Sequence, residues 1–179
     1  MVCLAPRALE DSVRPRRPAD AGARPLNFTV RHHLFYEPPV SIESIRDSGV
    51  IALAKDATDF LAVHWWCRSI RSSHLAYANP PVLGVFLFRI VPSTPNYQSA
   101  LWVVVGDLPA AYLVCDDAPT WREALRSYAD EMGKWVAAVR ARTSLMDVIQ
   151  VGVEPTLENA DKVDSRLRVI SRIVLKYGK

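Results

Sequence analysis

The chain has 179 residues, half of them apolar, and a formal net charge of +3 at pH 7. That length suits one domain, and that apolar share suits a packed core, which excludes a wholly disordered chain. Residues 1–29 hold five arginines against three acids, so residues 30–179 are within one charge of neutral, and nucleic acid, which calls for bases gathered on one face, is not an expected partner.

Arginines outnumber lysines but are scattered through the chain, which fits GC-rich codon usage better than a demand for bidentate anion contacts. The three cysteines, Cys3, Cys67 and Cys115, form no CxxC pair and leave one over. That argues against a disulfide framework or zinc knuckle and for a reducing cytoplasm. The apolar stretch Val2–Pro6 is shorter than a signal-peptide core of about 7–15 residues. The longest apolar runs, Phe60–Cys67 and Pro80–Phe88, fall short of the ~18 residues that span a bilayer.

In chain order, residues 1–27 carry Pro6, Pro15, Pro18 and Pro25 among arginines, alanines and acids, without an aromatic residue. They are expected to be a disordered tail, because they bury too little apolar surface to offset chain entropy. A single domain is expected over residues 28–179. Phe28, Val30, Leu34, Phe35 and Tyr36 suggest a short strand or arm that Pro38 and Pro39 stop. Ser41 can cap a short helix over Ile42–Arg46, with a turn at Asp47–Gly49. A buried helix is expected from Asp56, with Asp59 completing a cap, to about Ser72.

Asn79-Pro80-Pro81 breaks the chain, and Val82–Val91 is apolar on both faces, as in a central strand. Leu101–Val105 is the next strand, Gly106–Pro109 a turn, and Tyr112–Cys115 a third strand, giving an antiparallel meander. Thr120 and Glu123 form a capping box. Trp121, Leu125, Tyr128, Met132, Trp135 and Val139 then recur at helical spacing. Asp147–Val153 alternates like a fourth strand. Thr156 caps a last helix whose inner face carries Leu157, Ala160, Val163, Leu167, Ile170, Val174 and Tyr177, with Gly178 just past its end. The expected fold is α+β: a three- to four-stranded, mainly antiparallel sheet packed with helices, in the order α-α-β-β-β-α-β-α.

No nucleophile elbow, zinc-protease motif, P-loop or dinucleotide loop is present, and seven glycines are few for a phosphate cradle. Asp107, Asp116 and Asp117 flank the third strand. They are the candidate carboxylates for acid–base or divalent-metal chemistry, though turn and capping duty explains them too. His64 and Cys67, three apart on the expected helix, share a face. With His74, or with His32 and His33, they are the candidate metal ligands, but at no recognised zinc spacing. Neither a metal nor a cofactor is expected.

Arg168, Arg172 and Lys176 recur every four residues on the last helix and are the candidate partner-binding stripe. Acids at the front of that helix and bases at its end also suit the helix dipole. Arg89, alone among apolar residues in its strand, must find a carboxylate, with Asp107 and Glu154 as candidate partners, or emerge at the sheet's end.

The run from Trp102 to Leu113, with its G-D-L-P-x-A-Y-L turn, the stretch Asp116–Pro119 and the helix carrying Tyr128 and Trp135 resemble uncharacterised bacterial proteins grouped as a domain of unknown function. The resemblance covers about residues 80–140 and implies a small cytoplasmic protein and no activity. The expected function is a non-catalytic protein-interaction protein, with a toxin-neutralising immunity protein as its concrete form. The alternative is a small hydrolase or metal-dependent enzyme using the three aspartates.

Overall fold

A computed structural model of the chain describes residues 34–177. Among the described residues five strands form one sheet: β1 (Leu34–Ser41), β2 (Cys67–Asn79), β3 (Leu83–Pro92), β4 (Ala100–Gly106) and β5 (Ala111–Val114). Their spatial order follows the chain, and every neighbouring pair is antiparallel. Helix α1 (Ser48–Ala62) packs on one face; α2 (Trp121–Ala141) packs on the other, with α3 (Leu157–Tyr177) laid along α2. The fold is therefore α+β with an antiparallel meander. It has five strands rather than three or four, in the order β-α-β-β-β-β-α-α.

Strand alternation divides the core in two. Leu83, Val85, Trp102, Val104, Ala111 and Leu113 join α2 and α3. Phe86, Phe88, Ile90, Leu101, Val103, Val105 and Val114 join α1. Both faces are buried at the centre, which explains why Val82–Phe88 is apolar on both faces, while the exposed Arg89 lies towards the strand's end.

Four expectations are corrected. First, Pro38 and Pro39 do not stop β1. They sit at a register shift between Phe35 and Val40, which an outermost strand tolerates because it needs no N–H donor on its open side. Second, α1 begins before Asp56: Asp47 caps it, its carboxylate accepting from the Val50 amide at 2.9 Å. The helix ends at Ala62, and the short helix before it is a 3-10 turn over Ile42–Ser44.

Third, Cys67–Ser72, expected as the end of that helix, is the first half of strand β2. Its residues facing the α1 side pair successively with Pro92, Ile90, Phe88, Phe86 and Gly84; they are Cys67, Ile70, Ser73, Leu75 and Ala78. Each step of three on β2 meets a step of two on β3, so β2 bulges three times. A bulge places two residues against one, and each puts a pair on the far face: Arg68 with Ser69, Arg71 with Ser72, Ala76 with Tyr77. Fourth, Asp147–Val153 joins no strand ladder. Leu145, Val148, Ile149 and Val151 lie half-buried against the α2–α3 core.

The capping box of α2 is present: the Glu123 amide donates to Thr120 Oγ1 at 3.3 Å, and the Thr120 amide to Glu123 Oε2 at 3.0 Å. All six residues of the expected stripe are buried. Thr120→Ala should cost about 0.5–2 kcal/mol, lowering Tm by about 2–4 °C per kcal/mol; an unchanged melt would show that the box contributes nothing. Thr156 Oγ1 accepts from the Asn159 amide at the start of α3. Residues 1–33, with the tail, the Phe28–Val30 strand start and the His32–His33 pair, lie outside the described residues, as do Gly178 and the side chains of Val174 and Tyr177.

Candidate functional site

The segment after β5 determines how much of the sheet is covered. It crosses the α2-side face as far as β2. Trp102 Nε1 donates to the Ala118 carbonyl at 2.7 Å, and Trp121 stacks on Tyr77 at 5.1 Å with 19° between the rings. Arg122 lies over the Trp121 ring and reaches Glu37 on β1 at 2.7 Å. From there α2 runs back, and the Tyr128 hydroxyl donates to the Pro109 carbonyl at 2.7 Å. Burial raises the pKa of that phenol.

Beyond this crossing no described element covers the same face. Tyr77, Val85 and Val104 are fully buried, whereas Arg68, Ser69, Arg71 and Arg89 are exposed and Ser72, Val91, Ala100 and Cys115 only half-buried. The register aligns Ser72, Arg89 and Ala100 across β2, β3 and β4, and Ser69 lies opposite Val91. The result is an arginine–serine platform at one end of the sheet. Among the described residues no carboxylate forms an ion pair with Arg68, Arg71 or Arg89.

Arg89 thus emerges at the sheet's end. Neither expected partner takes it: Asp107 lies at the opposite end of β4, paired with Arg166 of α3, and Glu154 lies in the α2–α3 connection. Arg89 acts electrostatically on Cys115 instead, opposing a shift dominated by burial that pushes the thiol up to about 11. Cys115 is therefore a neutral thiol at pH 7 and a poor nucleophile. Cys67 is also a free thiol with its pKa raised by burial.

The three candidate aspartates do not gather. Asp107 follows β4 while Asp116 and Asp117 follow β5, and the antiparallel pairing of Val104 with Ala111 and Leu101 with Val114 places them at opposite ends of β5. All three are exposed, and Asp116 accepts from Gln98 Nε2 at 2.6 Å.

Of the candidate ligands, His64 and Cys67 share one turn, the Cys67 amide donating to the His64 carbonyl at 2.9 Å, while His74 stands apart. His64 lies in the turn after α1 with its ring against Phe60, Trp66 and Tyr112, and its Nδ1 is 2.8 Å from the Phe60 carbonyl. Burial lowers its pKa despite that hydrogen bond. Cys67 opens β2 and is not on a helix. His74 pairs with Leu87, on the face opposite Cys67, and its Nδ1 is buried without a hydrogen-bond partner among the described residues. Among those residues no three His, Cys, Asp or Glu side chains come together as metal ligands.

On α3, Arg168 is held by Asp164 at 3.1 Å, which Arg140 of α2 also engages at 3.1 Å. These cations hold the Asp164 carboxyl below its ordinary pKa. Arg172 and Lys176 are exposed further along the helix. The basic residues of α3 thus belong partly to a helix–helix ion-pair network.

Arg68, Arg71, Ser69 and Ser72 were not singled out from sequence, because a helix there would have carried them on an ordinary solvated face. The triplet repeat Cys-Arg-Ser, Ile-Arg-Ser was the available signal. Among the described residues no helix is long and apolar enough to cross a membrane. The fold and platform define an antiparallel α+β domain with one basic sheet end that no described element covers. Compared with known proteins, the chain matches no family model, no curated protein and no solved structure.

Proposed function

We propose that the protein is a non-catalytic interaction protein whose arginine–serine platform binds a carboxylate-bearing surface of a partner protein. The observation that carries this reading is the convergence of Arg68, Arg71 and Arg89 on one open sheet end without an ion-paired acid among the described residues. Guanidinium groups are weakly hydrated and match carboxylates bidentately, which is why arginine is favoured at interfaces. The neutral thiols and separated aspartates make this end of the sheet better suited to binding than to bond-breaking. Toxin neutralisation is the physiological form we favour, the toxin offering the acidic surface.

The test is binding of fluorescein-labelled poly-glutamate across a salt series. We expect saturable, salt-weakened binding, and roughly 10-fold or more weaker binding after Arg68→Glu, Arg71→Glu and Arg89→Glu together, since exposed charge pairs contribute about 0.2–1 kcal/mol each and the reversed charges repel the probe. Equal binding by the two proteins would remove the platform from consideration. Substitutions at these exposed positions should leave the fold intact, which a thermal melt checks.

A further inference from the structure

We infer that the partner supplies an acidic segment in extended conformation, added as a strand to the free edge of β2 over Cys67–Ser73. The inference rests on the platform being the binding face. Strand β1 pairs with β2 only between His74 and Ala78. At Ser41 the chain leaves the sheet for the 3-10 turn and α1. Cys67–Ser73 therefore has β3 on one side and, among the described residues, no strand on the other. Such an edge leaves backbone donors and acceptors without a strand partner, the template for strand addition, in short runs separated by the bulges at Cys67–Ser69 and Ile70–Ser72.

Charge identifies the kind of strand. Arg68 and Arg71 stand on this edge segment, and Arg89 is one strand further in, opposite Ser72. A polyanion without a peptide backbone can accept from the edge amides but has no N–H to donate to the edge carbonyls, which meet its charge as repulsive groups. A nucleic acid would also want aromatic stacking surfaces, and the platform residues include none. An acidic peptide satisfies both the backbone edge and the guanidinium groups.

The bulges set its spacing. From Cys67 to Ile70 and from Ile70 to Ser73, three residues of β2 span two of β3. Arg68 and Arg71 are therefore one two-residue step apart along a regular neighbouring strand. Acids at alternate positions, which share one face of a strand, would reach both.

The test uses the full chain and three labelled eight-residue peptides: glutamates alternating with threonine or valine, the same composition with contiguous glutamates, and the alternating peptide N-methylated at every amide, so that neither edge can donate. A single-stranded oligothymidine is the fourth probe. Backbone hydrogen exchange of residues 68–73 is followed alongside affinity.

The alternating peptide should bind best, with roughly 10-fold loss, one such step being 1.4 kcal/mol, for the contiguous peptide, for the N-methylated peptide and for Arg68→Glu/Arg71→Glu. Exchange at 68–73 should slow on binding. If all three peptides bind alike and exchange is unchanged, strand addition is overturned while the charged platform stands. If none distinguishes the native chain from the double variant, the platform falls as well. Tighter binding of the oligonucleotide overturns the choice of partner. If the double variant self-associates on size exclusion while its peptide affinity is unaltered, the arginines are guards against edge-to-edge aggregation, which also overturns the inference.

Discussion

Gly106→Ala should lower Tm by on the order of 10 °C. Gly106 ends β4 with φ +137°, in the region that side chains rarely occupy. A β-carbon there would lie 2.3 Å from the Val82 carbonyl oxygen and 2.7 Å from its carbon. Both are backbone atoms held by pairing, since Leu83 is opposite Gly106 and the Asp107 amide donates to the same Val82 oxygen at 2.9 Å. The neighbour cannot rotate away as a side chain would. Strain of about 1–3 kcal/mol adds to overpacking of about 1–3 kcal/mol.

Gly133→Ala is the control. Gly133 lies within α2, where an added β-carbon meets nothing within 4 Å, so alanine should stabilise by roughly 0.5–1 kcal/mol. Opposite shifts in the two melts are expected. Equal shifts would show that the close approach at Gly106 is not present in solution.

What the sequence made legible follows from how regular each element is. β3, β4 and α2 were foreseen almost to the residue because their periods are unbroken and Thr120 and Glu123 mark the helix start. β2 was not. Its bulges put Cys67 and Ile70 three residues apart on one face, a spacing that mimics a helix and continues the real helical pattern of Leu53, Ala57 and Leu61. The error carried Arg68 and Arg71 out of view and left Arg89 as the only visible member of the platform.

Asp147–Val153 failed in the other direction. The apolar residues alternate in sequence, but burial does not follow: consecutive Val148 and Ile149 are both half-buried on the α2–α3 core and Val153 is exposed, as in an irregular coil. The aspartates were read from nearness in sequence; a hairpin sends Asp107 to one end of β5 and Asp116 to the other.

Trp121→Ala should destabilise by about 3–5 kcal/mol, the range for emptying a large buried aromatic site. Trp121 is 1 % exposed and stacked on Tyr77, where it anchors the end of the segment that crosses the sheet from β5. Trp65 gives the comparison: it is 59 % exposed and touches Tyr97 edge-on, so its replacement by alanine should cost less than about 1 kcal/mol. The two variants remove the same atoms from the chain; they differ in burial and in the Tyr77 stack and Arg122 contact that only Trp121 makes. Trp121→Phe keeps a ring against Tyr77 and should recover most of the loss. Because Trp121 also fixes where the covered face ends, its alanine variant should speed hydrogen exchange over Asp116–Thr120 before global unfolding. Matching melts for Trp121→Ala and Trp65→Ala would show that the crossing segment is not docked on the sheet, and the boundary of the platform would go with it.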